Sequence, residues 1–419
     1  MLGAGIWLTH CQSQTHTAAH APSADGSARD AGASAHAGAA AQSGASGSGG
    51  LGAAGVAGSD ASITGSARDG GASGAGASAV SGSGGTAGGA GASGGGAVDA
   101  GPRATFRNPL NQKEGSDPWL TYYKGNYYLT ATTWSSELSV RKSATIDGLK
   151  TATPVTVWTG DAAARCCNFW APELHQLTGP SGTRWYLYYT AGPTGTDTSN
   201  QRNHVLESAG DDPLGPYSYK ARIFDTNNDS WAIDSSVVTI KGSLYFLFSA
   251  WEGSNQDLFI ALMSNPWTMS GSRVRISQPT YTWETSLANV NEGPVALQHD
   301  GHTFITYSAS ACWGPDYKLG MLTLTGTDPL SAASWTKTAT PVFQRADANS
   351  AYGPGHNGFF TSPDGTENWI VYHANTSASG VCDTNRTTRV QSFTWNSDGT
   401  PHFGAPVALT TDLQVPSGE

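Results

Sequence analysis

Five stretches of the chain share one pattern of apolar and polar positions. Each holds an apolar strand, a turn of Gly, Asp, Asn or Lys, and a second strand rich in Tyr, Phe and Leu. Short apolar runs bounded by turn residues are typical of β-hairpins. The pattern therefore predicts five strand pairs, in Ser116–Trp134, Trp170–Ala191, Ala232–Trp251, Asn291–Trp313 and Gly355–Ala374.

The five strand pairs recur at similar intervals. Aligning them on their first strands gives one column, which consists of Asp117, Ala171, Asp234, Glu292 and His356. The successive spacings of this column are 54, 63, 58 and 64 residues. A long repeat made of strands is the signature of a β-propeller with one blade per repeat. We therefore predict an all-β fold, a five-bladed β-propeller.

The column carries the candidate chemistry. In a propeller the innermost strand of each blade runs beside the central axis, so a column of the repeat becomes a ring around that axis. Carboxylate and imidazole groups are costly to desolvate, and their convergence on one pocket indicates a functional site. The alternative is that each acid caps a turn at its own blade edge, but turn caps need not share a column.

Two acids outside the column compete with those inside it. Blade two has Ala171 at the column position, and Glu173 lies two residues later on the same side of the strand. We expect Glu173 to be a structural acid buried with His175. Glu284 lies upstream of blade four, in a loop.

Composition divides the chain into two parts. Residues 1–101 carry 27 of the 53 Gly and no Tyr, Phe or Lys. A segment with so few large apolar side chains cannot offset the entropy lost on ordering. We expect residues 12–104 to be a disordered Ala/Gly/Ser-rich tether, residues 105–413 to be the propeller, and residues 414–419 to be a C-terminal tail.

The first residues suggest export. The apolar run Leu2–Leu8 is too short to span a membrane, and Cys11 follows it as the acylated Cys of a bacterial lipoprotein would. No basic residue precedes the run, as a complete signal peptide would require. We expect residues 1–11 to be a truncated export or lipoprotein signal, and the protein to be secreted or tethered to the bacterial surface. The alternative is a misplaced start on a chain that is not exported.

Charge and cysteine content exclude several classes of partner. The formal net charge of −10 and the pI near 5.5 disfavour nucleic acids and anionic membranes, whereas a neutral polymer is compatible. The five Cys show no spacing typical of a zinc site. In an exported protein, Cys312 and Cys382 are compatible with a bridge between blades four and five, but the sequence does not fix the pairing. The adjacent Cys166 and Cys167 are compatible with a disulfide or with reduced thiols.

Three carboxylates in one ring are sufficient for the hydrolysis of a glycosidic bond. One carboxyl group acts as general acid and another as general base, provided that their surroundings keep one protonated and the other ionised. A third carboxylate raises the pKa of the acid by repulsion. Asp117, Asp234 and Glu292 supply this number of groups.

The chain also resembles a known family. The sequences SDPW, WAPELH, IDSSV, MSNPW, VNEGPV, TYSAS, YGPGHN, TRVQ and DGTPHFG occur in this order. Together they resemble glycoside hydrolase family 43, and most closely its exo-acting α-L-arabinofuranosidases. The resemblance extends from about Thr105 to Leu413.

The resemblance implies a five-bladed propeller, an inverting mechanism and a role for each member of the ring. It implies Asp117 as general base, Glu292 as general acid and Asp234 as the group that tunes Glu292 and positions the sugar. His356 would hold a water network or help to ligate a structural calcium ion, with most ligands supplied by water. No cofactor would be required for the chemistry. Weaker candidates for contact with the sugar are Trp134, Phe169, Trp170 and Arg389.

The leading hypothesis is a monomeric inverting hydrolase that acts on a plant cell-wall polysaccharide. It would release L-arabinofuranose from the non-reducing ends of α-1,5-arabinan or arabino-oligosaccharides, with arabinoxylan as a further substrate. The alternatives within the family are a β-xylosidase and an endo-arabinanase. Two further alternatives are a carbohydrate-binding propeller without turnover, and a sucrose- or fructan-acting propeller with a covalent Asp intermediate.

Overall fold

A computed structural model describes residues 103–419 of the protein. The predicted signal at residues 1–11, with Cys11, and the predicted tether as far as residue 102 lie outside the described residues. The described chain consists of strands, loops and five short 3-10 helices. None of the helices in this part of the chain is long and apolar enough to cross a membrane. The 3-10 helices are Asp147–Lys150, Ala163–Arg165, Thr282–Glu284, Ala332–Ser334 and Asp347–Asn349.

The first strand lies outside the blades, and the next strands form blades one and two. The first strand is β1 (Thr105–Phe106). Blade one consists of β2 (Trp119–Tyr123), β3 (Asn126–Thr130), β4 (Glu137–Ser143) and β5 (Val155–Thr159). Blade two consists of β6 (Cys167–Gly179), β7 (Gly182–Gly192), β8 (Arg202–Ser208) and β9 (Tyr217–Ile223).

Blades three, four and five follow in chain order. Blade three consists of β10 (Ala232–Ile240), β11 (Ser243–Glu252), β12 (Asn255–Asn265), β13 (Thr268–Met269) and β14 (Val274–Ser277). Blade four consists of β15 (Asn291–His299), β16 (His302–Ala309), β17 (Lys318–Leu324) and β18 (Trp335–Lys337). Blade five consists of β19 (Tyr352–Thr361), β20 (Asn368–Asn375), β21 (Thr387–Trp395) and β22 (Pro401–His402), and a last strand, β23 (Leu413–Gln414), follows it.

The predicted five-bladed propeller is confirmed. The five predicted strand pairs are the first two strands of the five sheets, and each pair is antiparallel. The second strand of each blade is largely buried, because each blade has a neighbour on either side. The sequences of these second strands are accordingly rich in the aromatic and β-branched residues that pack well in such sheets.

The apolar core is divided among the five interfaces between neighbouring blades. One cluster of buried side chains lies at each interface, and each cluster draws residues from two consecutive blades. Between blades one and two, for example, Leu138 and Val140 pack with Leu174 and Leu187. Burial of apolar area at every interface therefore holds the ring of blades together.

The two ends of the described chain close the ring. Strand β1 pairs with β23, and Val415 N–H donates to the carbonyl of Ala104 over 2.9 Å. Asn108 also exchanges two hydrogen bonds with the backbone of Val390 in blade five. The first residues of the described chain thus bind blade five before the chain enters blade one.

Candidate functional site

The inner strand of each blade begins with a β-bulge. Ile233 pairs with Ser249 and Ser236 with Leu247, so three residue steps on β10 match two on β11. The same mismatch occurs in the other four blades. Each bulge contains one residue in the left-handed region, and bulges of this kind re-aim side chains beside active sites. The left-handed residues are Asp117 (φ 52°), Ala171 (45°), Asp234 (61°), Gly293 (57°) and His356 (42°).

The amide groups of these left-handed residues donate to side chains of the preceding blade. Asp234 N–H donates to Thr190 Oγ1 over 3.1 Å, and His356 N–H donates to Ser308 Oγ over 2.7 Å. The remaining three bonds are Asp117 N–H to His373 Nδ1, Ala171 N–H to Thr132 Oγ1 and Gly293 N–H to Asp234 Oδ2. The bonds link all five blades around the axis and fix the direction of each side chain there. Each bond satisfies a backbone donor that the bulge withdraws from the sheet.

This register corrects the predicted column in blade four. The left-handed position there belongs to Gly293, and Glu292 pairs with Ser308 in the way that Ile233 pairs with Ser249. The repeat spacings through Gly293 are therefore 59 (293 − 234) and 63 (356 − 293) residues. Glu292 still belongs to the site, but it reaches the site from the position before the bulge.

Asp117 lies among cationic and polar groups. Its Oδ1 is 3.2 Å from His356 Nδ1 and 3.9 Å from Arg386 Nη1, and its Oδ2 accepts a hydrogen bond from Thr132 Oγ1 over 2.5 Å. Burial alone would raise the pKa of this carboxyl, but the positive charge of His356 and Arg386 lowers it well below its usual range. Asp117 is therefore an ionised carboxylate at neutral pH.

Glu292 lies among neutral groups. Its Oε1 accepts a hydrogen bond from Tyr317 Oη over 2.8 Å, and its Oε2 accepts one from Gln256 Nε2 over 2.8 Å. Burial raises the pKa of Glu292, and the negative charge of Asp117 raises it further. The two donors and His356 oppose this shift without reversing it. Glu292 therefore retains its proton to higher pH than an exposed carboxyl group does.

Asp234 links the other two carboxyl groups. Its Oδ2 accepts a hydrogen bond from the amide of Gly293, the residue that follows Glu292. Burial raises the pKa of Asp234, and repulsion by Glu292 and Asp117 adds to the rise. Burial and this repulsion raise the pKa of Asp234 to about 8, so its main contribution is the hydrogen bond that holds the backbone next to Glu292.

His356 completes the ring of charges. Burial would lower the pKa of this imidazole, but the surrounding carboxylates Asp117, Asp234 and Glu292 raise it. Gly293 lies against the imidazole, because a Cβ atom at residue 293 would come within 3.1 Å of the ring. The imidazole of His356 thus packs between the carboxylate of Asp117 and the backbone of Gly293, which carries no side chain.

The residues around His356 fit a calcium site poorly. A calcium ion takes six to eight oxygen ligands. Within residues 103–419, no group of three or more His, Cys, Asp or Glu side chains is arranged to hold a metal ion. His356 Nδ1 is also directed at Asp117. The structural calcium ion stays a prediction in which water supplies most of the ligands.

Two of the predicted aromatic contacts, Trp134 and Trp170, lie next to each other. Trp134 and Trp170 are half-buried, and their rings meet edge to face with centroids 5.8 Å apart. Trp170 directly precedes the left-handed residue of blade two. The two indoles therefore pack on each other between blades one and two, and their contact with a sugar stays a prediction.

Two other predicted sugar contacts are wrong. Phe169 is fully buried in the core between blades one and two, where its ring packs on Tyr189. The guanidinium of Arg389 is also fully buried, and it donates to Thr387 Oγ1 and to the carbonyls of Ser350 and Asn375. Neither side chain has surface to offer a sugar.

Four residues that the sequence analysis missed hold the carboxyl groups in place. They are His373 and Arg386 beside Asp117, and Tyr317 and Gln256 beside Glu292. The ring of Tyr317 also stacks on His373, with the centroids 5.7 Å apart. Tyr317, Arg386 and His373 could have been found from their positions in the repeat. They lie in or near the loops that follow the second strands of blades four and five, and these loops are on the same side of the propeller as the bulges.

The two competing acids have structural partners. Glu173 contacts His175 over 2.7 Å, and buried Glu284 pairs with Lys337 over 2.8 Å and accepts a hydrogen bond from Tyr307. Both disulfides are formed. Cys312–Cys382 joins blades four and five, one of the arrangements that the sequence left open, and Cys166 is bonded to Cys167. The carbonyl of Cys312 and the Sγ of Cys382 both accept hydrogen bonds from Arg386.

The fold and the site define a class of protein. A propeller whose hub holds one ionised carboxyl group, Asp117, beside two whose pKa values are raised, Glu292 and Asp234, contains the groups that a glycoside hydrolase requires. Residues 106–401 match the sequence profile described as Glycosyl hydrolases family 43. The chain belongs to this family.

Named relatives share most of the propeller. The chain is 42% identical over 323 residues to an extracellular exo-α-(1→5)-L-arabinofuranosidase of Streptomyces avermitilis, and the match covers 74% of this chain and 65% of the relative. It is 38% identical over 287 residues to a protein of the same name from Streptomyces chartreusis, covering 66% of this chain and 84% of that one. The crystal structure of an α-L-arabinofuranosidase from Lactobacillus brevis superposes with a TM-score of 0.67 at 34% identity, covering 73% of this chain and 98% of that one. The chain thus spans slightly less than two-thirds of the length of the Streptomyces avermitilis relative.

Proposed function

We propose that the protein is an exo-acting α-L-arabinofuranosidase that releases L-arabinofuranose from the non-reducing ends of α-1,5-linked arabinan or arabino-oligosaccharides. The observation that carries this proposal is the opposite pKa shift of two carboxyl groups in one site, downwards for Asp117 and upwards for Glu292. Family membership supports hydrolysis of a glycosidic bond. The names of the two Streptomyces relatives support the choice of sugar and linkage.

The proposed reaction is a single displacement. Asp117 removes a proton from a water molecule, and the oxygen of that water forms a bond to the anomeric carbon from one face of the ring. Glu292 gives its proton to the glycosidic oxygen as the bond from that oxygen to the anomeric carbon breaks. The products are arabinose with inverted anomeric configuration and a shortened chain with a free hydroxyl. Asp234 positions Glu292 by accepting a hydrogen bond from the amide of Gly293. Trp134 and Trp170 border the bound sugar.

The general acid can be tested with Glu292→Gln. A general acid contributes about 10²- to 10⁴-fold to the rate, and we expect a loss of this size in kcat/KM on α-1,5-arabinotriose. The loss should be much smaller on a 2,4-dinitrophenyl arabinofuranoside, because that leaving group departs without a proton. Asp117→Asn should lose activity on both substrates, whereas the matched amide variant Asp211→Asn, on an exposed loop, should lose none. Full activity of Glu292→Gln on arabinotriose would refute the proposed role.

A product screen tests the substrate and the stereochemistry. The wild-type protein is incubated with linear arabinan, branched arabinan, arabinoxylan and aryl glycosides. Monomeric arabinose as the first product supports exo action, oligosaccharides indicate an endo-arabinanase, and xylose alone indicates a β-xylosidase. If no substrate is turned over, the alternative of a carbohydrate-binding propeller without turnover is favoured. Proton NMR of the first product should show the β-anomer, and retention of the α-configuration would contradict inversion and favour a covalent intermediate.

We propose further that the protein is exported. Two disulfides fit an oxidising compartment, and the two Streptomyces relatives are named extracellular. Attachment through Cys11 can be tested by cell fractionation of the wild type and a Cys11→Ser variant. Transfer of the variant from the membrane fraction to the medium is the expected result, and identical fractionation of both would contradict the tether.

A further inference from the structure

Large apolar side chains are exposed around the mouth of the site. Among residues 103–419 the exposed ones include Trp251 (41% exposed), Leu287 (69%) and Trp313 (45%). An exposed apolar residue is ordinary by itself. These three occur on three neighbouring segments that all surround Glu292, and this arrangement requires an explanation.

Trp313 belongs to the loop that holds one oxygen of Glu292. This loop joins β16 to β17, and it places Tyr317 Oη 2.8 Å from Glu292 Oε1. The same loop is fastened at Cys312 by the disulfide to Cys382 and by the hydrogen bond from Arg386. Trp313 therefore projects from a fixed segment, although almost half of its surface is free.

Trp251 belongs to the hairpin that holds the other oxygen of Glu292. Trp251 on β11 is the cross-strand partner of Gln256 on β12. Gln256 Nε2 lies 2.8 Å from Glu292 Oε2. Both hydrogen-bond donors to Glu292 thus come from segments that carry an exposed indole.

Leu287 lies on the segment that joins these two. Gln256 N–H donates to the carbonyl of Asn289, and Ala311 N–H donates to the carbonyl of Ser286. Leu287 lies so close to Gly314 that a Cβ atom there would come within 2.8 Å of Leu287 Cδ1. Residues 286–289 therefore bridge the hairpin and the loop, so the three apolar side chains are carried by segments that adjoin one another beside Glu292.

We propose that Trp251, Leu287 and Trp313 form a platform for the part of the glycan that leaves, beyond the bond that is cleaved. This inference rests on the proposed function, since Glu292 protonates the oxygen of the leaving chain. That chain must emerge beside Glu292 and pass over the segments that hold it. A neutral furanose chain has apolar C–H faces that stack on indole rings, whereas its hydroxyl groups stay in water.

The platform makes the enzyme sensitive to the length of the leaving group. The test compares kcat/KM on α-1,5-arabinopentaose with kcat/KM on methyl α-L-arabinofuranoside, whose leaving group is too small to reach the platform. Trp313→Ala and Trp251→Ala should each lower the pentaose value about tenfold, in line with the loss of one aromatic anchor. Leu287→Ala should lower it less. All three should change the methyl glycoside value by less than about twofold.

The controls separate this inference from the proposed function. Val155→Ala removes a side chain of similar exposure on the outer strand of blade one, and both substrates should be unaffected. Trp313→Phe should restore most of the loss on pentaose. The inhibition constant of free arabinose is measured for each variant. An unchanged constant shows that the ring of residues around Asp117 and Glu292 still binds the sugar. Equal losses on both substrates, or no loss on the pentaose, would overturn the platform, whereas an active Glu292→Gln would overturn the proposed function.

Discussion

At the scale of single residues, Tyr317 and Gln256 act on the pKa of Glu292. Both donate hydrogen bonds to its carboxylate, and such bonds stabilise the ionised form. They therefore counteract the burial that raises the pKa of Glu292. Asp117 is controlled in the opposite sense by cations. The working pH range of the enzyme is expected to lie between the pKa values of these two groups.

Replacing Tyr317 with Phe should move the alkaline limit of activity. The change removes an O–H donor from the ionised form of Glu292, which raises the pKa of Glu292 further. The acid then stays protonated to higher pH, so the alkaline limb of kcat/KM against pH moves upwards. Tyr123→Phe, which removes a phenol next to Asp211 on the surface, is the matched control. An unchanged or downward-shifted alkaline limb in Tyr317→Phe would contradict the assignment of that limb to Glu292.

The positions of some site residues could be predicted from the sequence, and those of others could not. Asp117, Asp234, Glu292 and His356 were predicted to meet because each stands at the start of an inner strand. Phe169 and Arg389 were misassigned because the direction of a side chain depends on local twist and bulges, which residue type does not reveal. Tyr317, Gln256 and Arg386 were missed because they lie in adjoining strands and loops outside the repeating column.

The bulge is the decisive feature at the scale of the strand. It turns one residue of each inner strand into the left-handed region and places the amide of that residue on the preceding blade. In blade four this residue is Gly293, whose φ is positive and whose Cα faces the His356 ring. The alignment by strand pattern placed Glu292 there, because period-two patterns do not register an extra residue. Alignment on the residue types that tolerate a positive φ would have favoured Gly293.

Gly293→Ala tests the close approach in blade four. The positive φ costs an Ala residue about 1–2 kcal/mol of unfolding free energy, and the new methyl group also pushes on His356. We expect a larger loss of stability than strain alone causes, together with a fall in kcat/KM. Gly125→Ala is the matched control, since Gly125 has a φ of 78° and no atom near its absent Cβ. Denaturant unfolding measures both variants, and equal losses would show that the contact with His356 is unimportant.

At the scale of residues 103–419 as a whole, five interfaces between neighbouring blades hold the propeller together. The pairing of β1 with β23 and the Cys312–Cys382 disulfide add two further links. The repeat spacing was enough to predict the number of blades, because each blade must bury its faces against the next. The closure by β1 and β23 could not be predicted, since strands of two residues leave almost no pattern. The buried Val415 and the hydrogen bonds of Ser417 show that the last residues pack against the ring.

Removing the Cys312–Cys382 bridge should weaken both the ring and the site. The two cysteines are 70 residues apart, and a bridge closing such a loop contributes about 4 kcal/mol in the chain-entropy description. We expect Cys312→Ala/Cys382→Ala to lower the free energy of unfolding by an amount of this order. The acidic limb of kcat/KM should also move to higher pH, because Arg386 loses an anchor and its charge no longer lowers the pKa of Asp117 as strongly. Cys166→Ala/Cys167→Ala is the control that should leave the acidic limb in place, and a shift of this limb in both variants would refute the link through Arg386.

The ring of bulges gives the protein five corresponding positions around one hub. Three of them carry titratable groups, one is the bare Gly293, and the fifth, Ala171, carries only a methyl group. The five positions are not interchangeable, because a side chain at residue 293 would press on His356. A single substitution at Ala171 would add a new functional group to the ring while leaving the other four positions unchanged.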